Sequence, residues 1–216
     1  MKGKFLSVTV LFISLFLIIT ANVCAVENLI LNGDFEEGNA GWLNAFRGAA
    51  AMQFVIDDED SISGKKSARF EVANIGGGDM HDLTLDCDTP INVKAGNTYT
   101  VDFWVKAEED RTIAIDFLMN HDPWTNAFRV ENIPITKEWH VQHHTFEAGF
   151  SDNNMIFLFS FSRGSNKNPT AIMWIDHVRF YEGKFEKEDL LEKPEPKAVD
   201  PNGKFTRSWG MVKYGG

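Results

Sequence analysis

From residue 67 to residue 182 the chain alternates apolar and polar residues with a period of two, and turn-forming clusters cut the alternation into short runs. Tyr99, Val101, Phe103 and Val105 fall on one side of one run, and Thr100, Asp102, Trp104 and Lys106 on the other. Ile113, Ile115, Phe117 and Met119 alternate in the same way with Ala114, Asp116 and Leu118. Met155, Phe157, Phe159 and Phe161 alternate with Ile156, Leu158, Ser160 and Ser162. Ile172, Trp174 and Asp176 are expected on one face of a last run, with Met173, Ile175 and His177 on the other. Ser67 to Val72 and Leu83 to Leu85 are shorter candidates. A period of two places successive side chains on opposite faces of a strand, so each run predicts a strand with one face buried. Asn32-Gly33-Asp34, Asp57 to Ser63, Gly76-Gly77-Gly78, Ala95-Gly96-Asn97 and Asp152-Asn153-Asn154 supply the turns. Many short strands separated by turns predict an all-β fold over residues 27–182, an antiparallel sandwich or barrel.

The N-terminus bears on the compartment. Lys2 and Lys4 precede an apolar run from Phe5 to Thr20, followed by Ala21-Asn22-Val23-Cys24-Ala25. This is the layout of a secretory signal peptide over residues 1–25, cleaved after Ala25, and it predicts a secreted or extracytoplasmic protein. The run is shorter than the ~20 residues that span a bilayer. Cleavage would remove two lysines and no acids, taking the net charge from −10 to −12. So acidic a chain is a poor partner for nucleic acid or for an anionic membrane surface. It would keep one cysteine, Cys87, so no intrachain disulfide is expected and Cys87 reads as a small buried hydrophobe. Residues 184–216 are expected as an irregular tail, a charged, proline-bearing linker followed by a short patch around Trp209.

Five blocks in order resemble one family. They are Asn28-Leu29-Ile30-Leu31-Asn32-Gly33-Asp34-Phe35-Glu36 with Gly41-Trp42, then Ser63-Gly64-Lys65-Lys66-Ser67-Ala68. Val93 to Ala107 follows (VKAGNTYTVDFWVKA), then Lys137-Glu138-Trp139 with Phe146, and last Ile175-Asp176-His177-Val178. Together they resemble carbohydrate-binding modules of the family 4/9/22 type. The resemblance implies a galactose-binding-like jelly roll that binds a poly- or oligosaccharide in a groove on its concave sheet or at edge loops. It also implies a structural calcium where the first strand, the Ser-Gly-Lys turn and the closing aspartate meet. Asp34, Glu36, Lys66 through its carbonyl, and Asp176 are the expected ligands, since calcium takes six to eight oxygens. Without a metal, the carboxylates would accept backbone N–H bonds instead. Tyr99, Phe103 and Trp139 read as core anchors. Gly33 and Gly96 are expected to supply positive φ in turns.

A sugar-binding site needs aromatic rings that the core does not use, beside hydrogen-bonding groups. Trp124 stands in the polar stretch Asn120 to Asn126 and is the leading candidate. Trp104 lies on the polar side of its strand; Phe128 and Arg129 follow Trp124. His81 and Asp82 occupy roughly the place where family 22 modules present a binding aromatic, a departure from the xylan-binding pattern. Ser160 or Ser162 stands where the family has a groove glutamate.

Nothing in the sequence spells catalysis. His81, His121 and His177 lack metal-ligand spacing, and His143 and His144 point to opposite faces. Asp57-Asp58-Glu59-Asp60 reads as a solvated loop without the facing carboxylate a glycosidase requires. The chain is therefore expected to bind a glycan without transforming it, on its own or beside a partner enzyme or surface protein. The alternatives are a calcium-stabilised adhesion domain and, last, an accessory fragment of a glycoside hydrolase.

Overall fold

The structure, a computed structural model, describes residues 26–162, 169–188, 190 and 191. The expected signal peptide and most of the expected tail, with Trp209, lie outside the described residues. Eleven strands are described: β1 (Trp42–Phe46), β2 (Ala51–Asp57), β3 (Ser67–Asn74), β4 (Leu83–Cys87), β5 (Ile91–Val93), β6 (Thr98–Ala107), β7 (Arg111–Met119), β8 (Asn126–Ile135), β9 (His140–Glu147), β10 (Asp152–Ser160) and β11 (Met173–Glu182).

They form two antiparallel sheets. One has the order β1-β4-β10-β7-β8, with β5 also paired to β10; the other has the order β2-β3-β11-β6-β9. Strands far apart in sequence are neighbours, as β4 and β10 or β3 and β11 show, which is the crossing pattern of a jelly-roll sandwich. Of the sandwich or barrel that the alternation allowed, the sandwich implied by the resemblance is the fold observed.

The apolar faces meet between the sheets. Tyr99, Val101, Phe103 and Val105 of β6 are buried, and so are Met155, Phe157 and Phe159 of β10. Phe103 meets Phe159 edge to face at 4.9 Å, and Phe117 packs on Phe180 at 4.6 Å. Such aromatic pairs add about 0.5–1.5 kcal/mol each beyond their burial. Cys87 is buried in this core, and burial pushes its thiol pKa up, as an inert thiol requires.

Strand β11 departs from simple alternation. Its register shifts between Asp176 and Arg179, and His177 has a φ of 51°. Met173 and Ile175 face the core before this bulge, and Val178 and Phe180 after it. One extra residue has reversed the phase of the strand.

The segment ahead of β1 is tied to this bulge. Val178 N donates to Gly33 O at 2.8 Å, and the Asn28 side chain bridges Val178 O and Phe180 N. Positive φ falls at Asn32 and Phe35 rather than at Gly33. Gly33 is needed for close approach instead: a Cβ there would lie 2.0 Å from Val178 O. Gly96 does adopt the expected positive φ, 81°.

Candidate functional site

On the outer face of the five-stranded sheet the loop after β2 is tied down, beside a depression of about 570 Å³ lined by Asp57 to Asp60, Arg69 and Trp174. Trp174 donates its indole N–H to Asp57 at 2.7 Å, and Trp139 donates to Asp60 at 2.9 Å. Lys106 pairs with Asp60 and stands 4.6 Å from the Trp174 ring centre and 5.5 Å from that of Trp139. Trp139 is thus no core anchor, and Asp57 and Asp60 are not merely solvated; acids and indoles clamp the loop after β2 onto the sheet.

Farther along this face, Arg179 grips Asp102 with two bonds of 2.8 Å, and Tyr181 donates to the same carboxylate. Arg179 also donates to Glu186 O, and Phe185 stacks on His143 with ring centres 3.8 Å apart. The start of the expected linker is therefore packed against the sheet.

Trp104 belongs to this face. It is 4% exposed and pairs in register with Asp176, which holds the 62–63 turn against the same side. As a candidate sugar platform it is corrected: its polar neighbours made it look exposed, but it is buried.

The residues expected to bind calcium converge on that turn. Asp176 accepts from the N–H groups of Ile62 and Ser63 at 2.9 Å, the Ser63 hydroxyl and His177 N. Glu36 accepts from Lys65 N and Lys66 N, and the Lys66 ammonium sits 2.7 Å from Glu36 O. Asp34 makes a long bond of 3.4 Å to Glu36 N. Both oxygens of Asp176 and one of Glu36 are thus met by donors, and the Lys66 ammonium takes the Glu36 carbonyl. Among the described residues no three His, Cys, Asp or Glu side chains are grouped to hold a metal. Burial pushes the Asp176 carboxyl up to about 6 despite its donors.

The outer face of the six-stranded sheet is open. A groove of about 430 Å³ crosses it. Its floor is aliphatic, from Ala45 of β1, Leu118 of β7, and Ile156 and Leu158 of β10. Thr84 and Asp86 of β4 add polar groups, and loops bring Arg47, His81, Asn120 and Trp124 to the rim.

Trp124 is held at the rim by its loop. His121 bonds Asp122 O through Nδ1 and Asp152 through Nε2 at 2.9 Å, and Trp124 N donates to His121 O at 2.7 Å. The Asp122–Pro123 peptide is cis and Trp124 has a φ of 59°. Trp124 is 54% exposed. Hydrogen bonds to Asp122 O and Asp152 raise the pKa of His121.

His81 and Arg129 meet on Asp116 of β7. Arg129 donates to Asp116 at 2.6 Å, His81 Nε2 lies 3.2 Å away, and Asn126 donates to the other oxygen. Burial works to raise the Asp116 carboxyl, but these bonds and the Arg129 charge hold it below the usual range. Asp82 does not line the groove: its carboxylate caps Asp79 N and packs against Gly76 and Gly77, shaping the loop that carries His81. Ser160 anchors the same loop by donating to Met80 O at 2.6 Å. Phe128 is also corrected. It points inward and stacks on Phe146 at 4.6 Å, because its register partner on β7 is the core residue Phe117.

Asp86, Asp116, Arg47, Asn120 and Asn126 were missed as site residues. Asp116 carried a signal, since it alternates away from the core. Asp86 lies just past the point where the sequence run was ended.

Asp86 and Asp116 both pair in register with Leu158, one on either side of it. Two strand spacings put their backbones about 10 Å apart. A glycosidase would place a water or a glycosidic bond between such carboxylates. Here Asp116 is engaged by three side chains, His81, Asn126 and Arg129, so it is not free to serve as acid or base.

A sequence profile described as a carbohydrate-binding domain, of the 4/9 type, matches residues 27–167. The chain belongs to this family. As a carbohydrate-binding domain it is a non-catalytic binding module. No curated protein sequence matches it. Among solved structures, one described as "CBM4 structure and function" is 24% identical, with a TM-score of 0.58, covering 71% of this chain and 99% of that one. An arabinose-bound α-L-arabinofuranosidase is 12% identical, with a TM-score of 0.56, and matches the module over 73% of this chain but only 27% of its own. The tandem family 22 modules of Paenibacillus barcinonensis Xyn10C are 16% identical, with a TM-score of 0.50, covering 76% of this chain and 47% of theirs. These likenesses are of fold.

Proposed function

We propose that the module binds a poly- or oligosaccharide along the groove of its six-stranded sheet, with Trp124 as the stacking platform. The observation that carries this reading is Trp124, more than half exposed at the rim of an aliphatic-floored groove edged with hydrogen-bonding groups. Sugar rings present C–H faces that pack on aromatic and aliphatic surface, and hydroxyls that need polar partners at the edges. The groove offers both.

The test is native affinity electrophoresis through gels holding xylan, mixed-linkage β-glucan, β-1,3-glucan or galactan. The wild-type module should be retarded by at least one. Trp124→Ala should weaken that retardation by about tenfold or more, as truncating an aromatic anchor does. Its melting temperature should stay within about 1 °C of wild type, because Trp124 is more than half exposed. Free migration of the wild type in every gel would overturn the reading.

Export through residues 1–25 belongs to the same reading. N-terminal sequencing of protein recovered from outside the cytoplasm should begin at Val26; a chain that keeps residues 1–25 would refute it.

A further inference from the structure

We infer that Asp86 is the acceptor that selects the bound sugar: a hydroxyl of a ring seated over Leu158 donates to its carboxylate. The inference rests on the groove being the carbohydrate site. The two carboxylates beside Leu158 are in opposite states. Asp116 has donors on both oxygens, from Asn126 on one and from His81 and Arg129 on the other. The Asp86 carboxylate is contacted by the Thr84 hydroxyl, and its Oδ1 is shielded from water with no hydrogen-bond partner. Its cross-strand neighbours are Leu43 of β1 and Leu158 of β10, neither of which can donate. The charged groups near it are Arg47 and His81, both on the groove rim.

A buried carboxylate oxygen without a donor costs free energy that the fold gains nothing from. Burial accordingly raises the Asp86 carboxyl pKa. Asp86 lines the groove, so the missing donor can come from a ligand. The terminal torsion of an aspartate is soft and roughly two-fold, so a small turn brings either oxygen to the opening. A hydroxyl donating to a carboxylate makes a charge-assisted bond, about twice as strong as a neutral one. A site that relies on such a bond discriminates strongly against a sugar lacking the hydroxyl. It also disfavours a carboxylate or sulfate at that position, which would face Asp86 as a like charge. The sugar over Leu158 is therefore an uncharged ring with a free hydroxyl turned toward β4.

Asp86→Asn tests this in the same polysaccharide gels, with Trp124→Ala run beside it and thermal melts on every variant. The expected result is binding weakened by about 10- to 100-fold. The melting temperature should be equal to or above that of wild type, because the substitution removes an uncompensated buried charge. Retardation of Asp86→Asn equal to wild type, with Trp124→Ala impaired, would overturn the role of Asp86 and leave the groove reading intact. Weakened binding together with a lowered melting temperature would also overturn it, marking Asp86 as structural. A wild type that no gel retards would remove the groove reading and this inference together.

Discussion

Gly33→Ala is expected to destabilise the module by about 3 kcal/mol or more. The added methyl would lie 2.0 Å from the Val178 carbonyl oxygen and 3.0 Å from its carbon, and both are backbone atoms that cannot rotate away. Relief requires the segment before β1 to lift from β11. That would break the bond from Val178 N to Gly33 O and strain the Asn28 bridge to Val178 and Phe180. For a domain of this size, 3 kcal/mol lowers the melting temperature by about 6–12 °C, which a thermal melt followed by near-ultraviolet circular dichroism would read. A loss under about 1 kcal/mol would show that the contact is looser than described.

Asp102→Ala should cost about 3–5 kcal/mol, because it leaves the Arg179 guanidinium largely buried without its bidentate partner. Burial raises the Asp102 carboxyl pKa even though Arg179 and Tyr181 pull it down, so the pair is held by geometry rather than by cheap solvation. The effect should reach beyond β6 and β11. Arg179 also bonds Glu186 O and pairs with Glu188, so amide exchange across 186–188 should quicken in the variant. Replacing both partners by apolar residues, Asp102→Leu with Arg179→Met, should be milder than the single change. Equal loss in the single and double variants would refute the uncompensated-charge argument. Neither variant touches the groove, so sugar binding should persist below the new melting temperature.

The two outer faces explain why some of the site was legible in the sequence and some was not. Trp124 could be read because its neighbours, Asn120 to Asn126, offer no apolar alternation to bury it. Trp104 could not, since alternation assigns it to the side away from the core and says nothing of what covers that side. Phe128 was misplaced because two register shifts between β7 and β8 set its phase. Asp86 was overlooked because one charged residue ended the Leu83–Leu85 run, although the strand continues to Cys87.

By itself the sequence determined the class of fold and its core. Alternation with a period of two leaves no other way to bury Phe103, Phe117, Phe157 and Phe159 together, and that local rule needs no knowledge of distant residues. Only the tertiary structure decided which outer face carries the aliphatic-floored groove. Asp176 reaches Ile62 and Ser63 across more than a hundred residues, and Arg179 draws Glu186 back onto the same sheet. Those long-range bonds fix the 62–63 turn and residues 186–188 on the five-stranded face, where Trp104 is buried. The other face keeps its groove, with Trp124 at the rim and one oxygen of Asp86 lacking a donor.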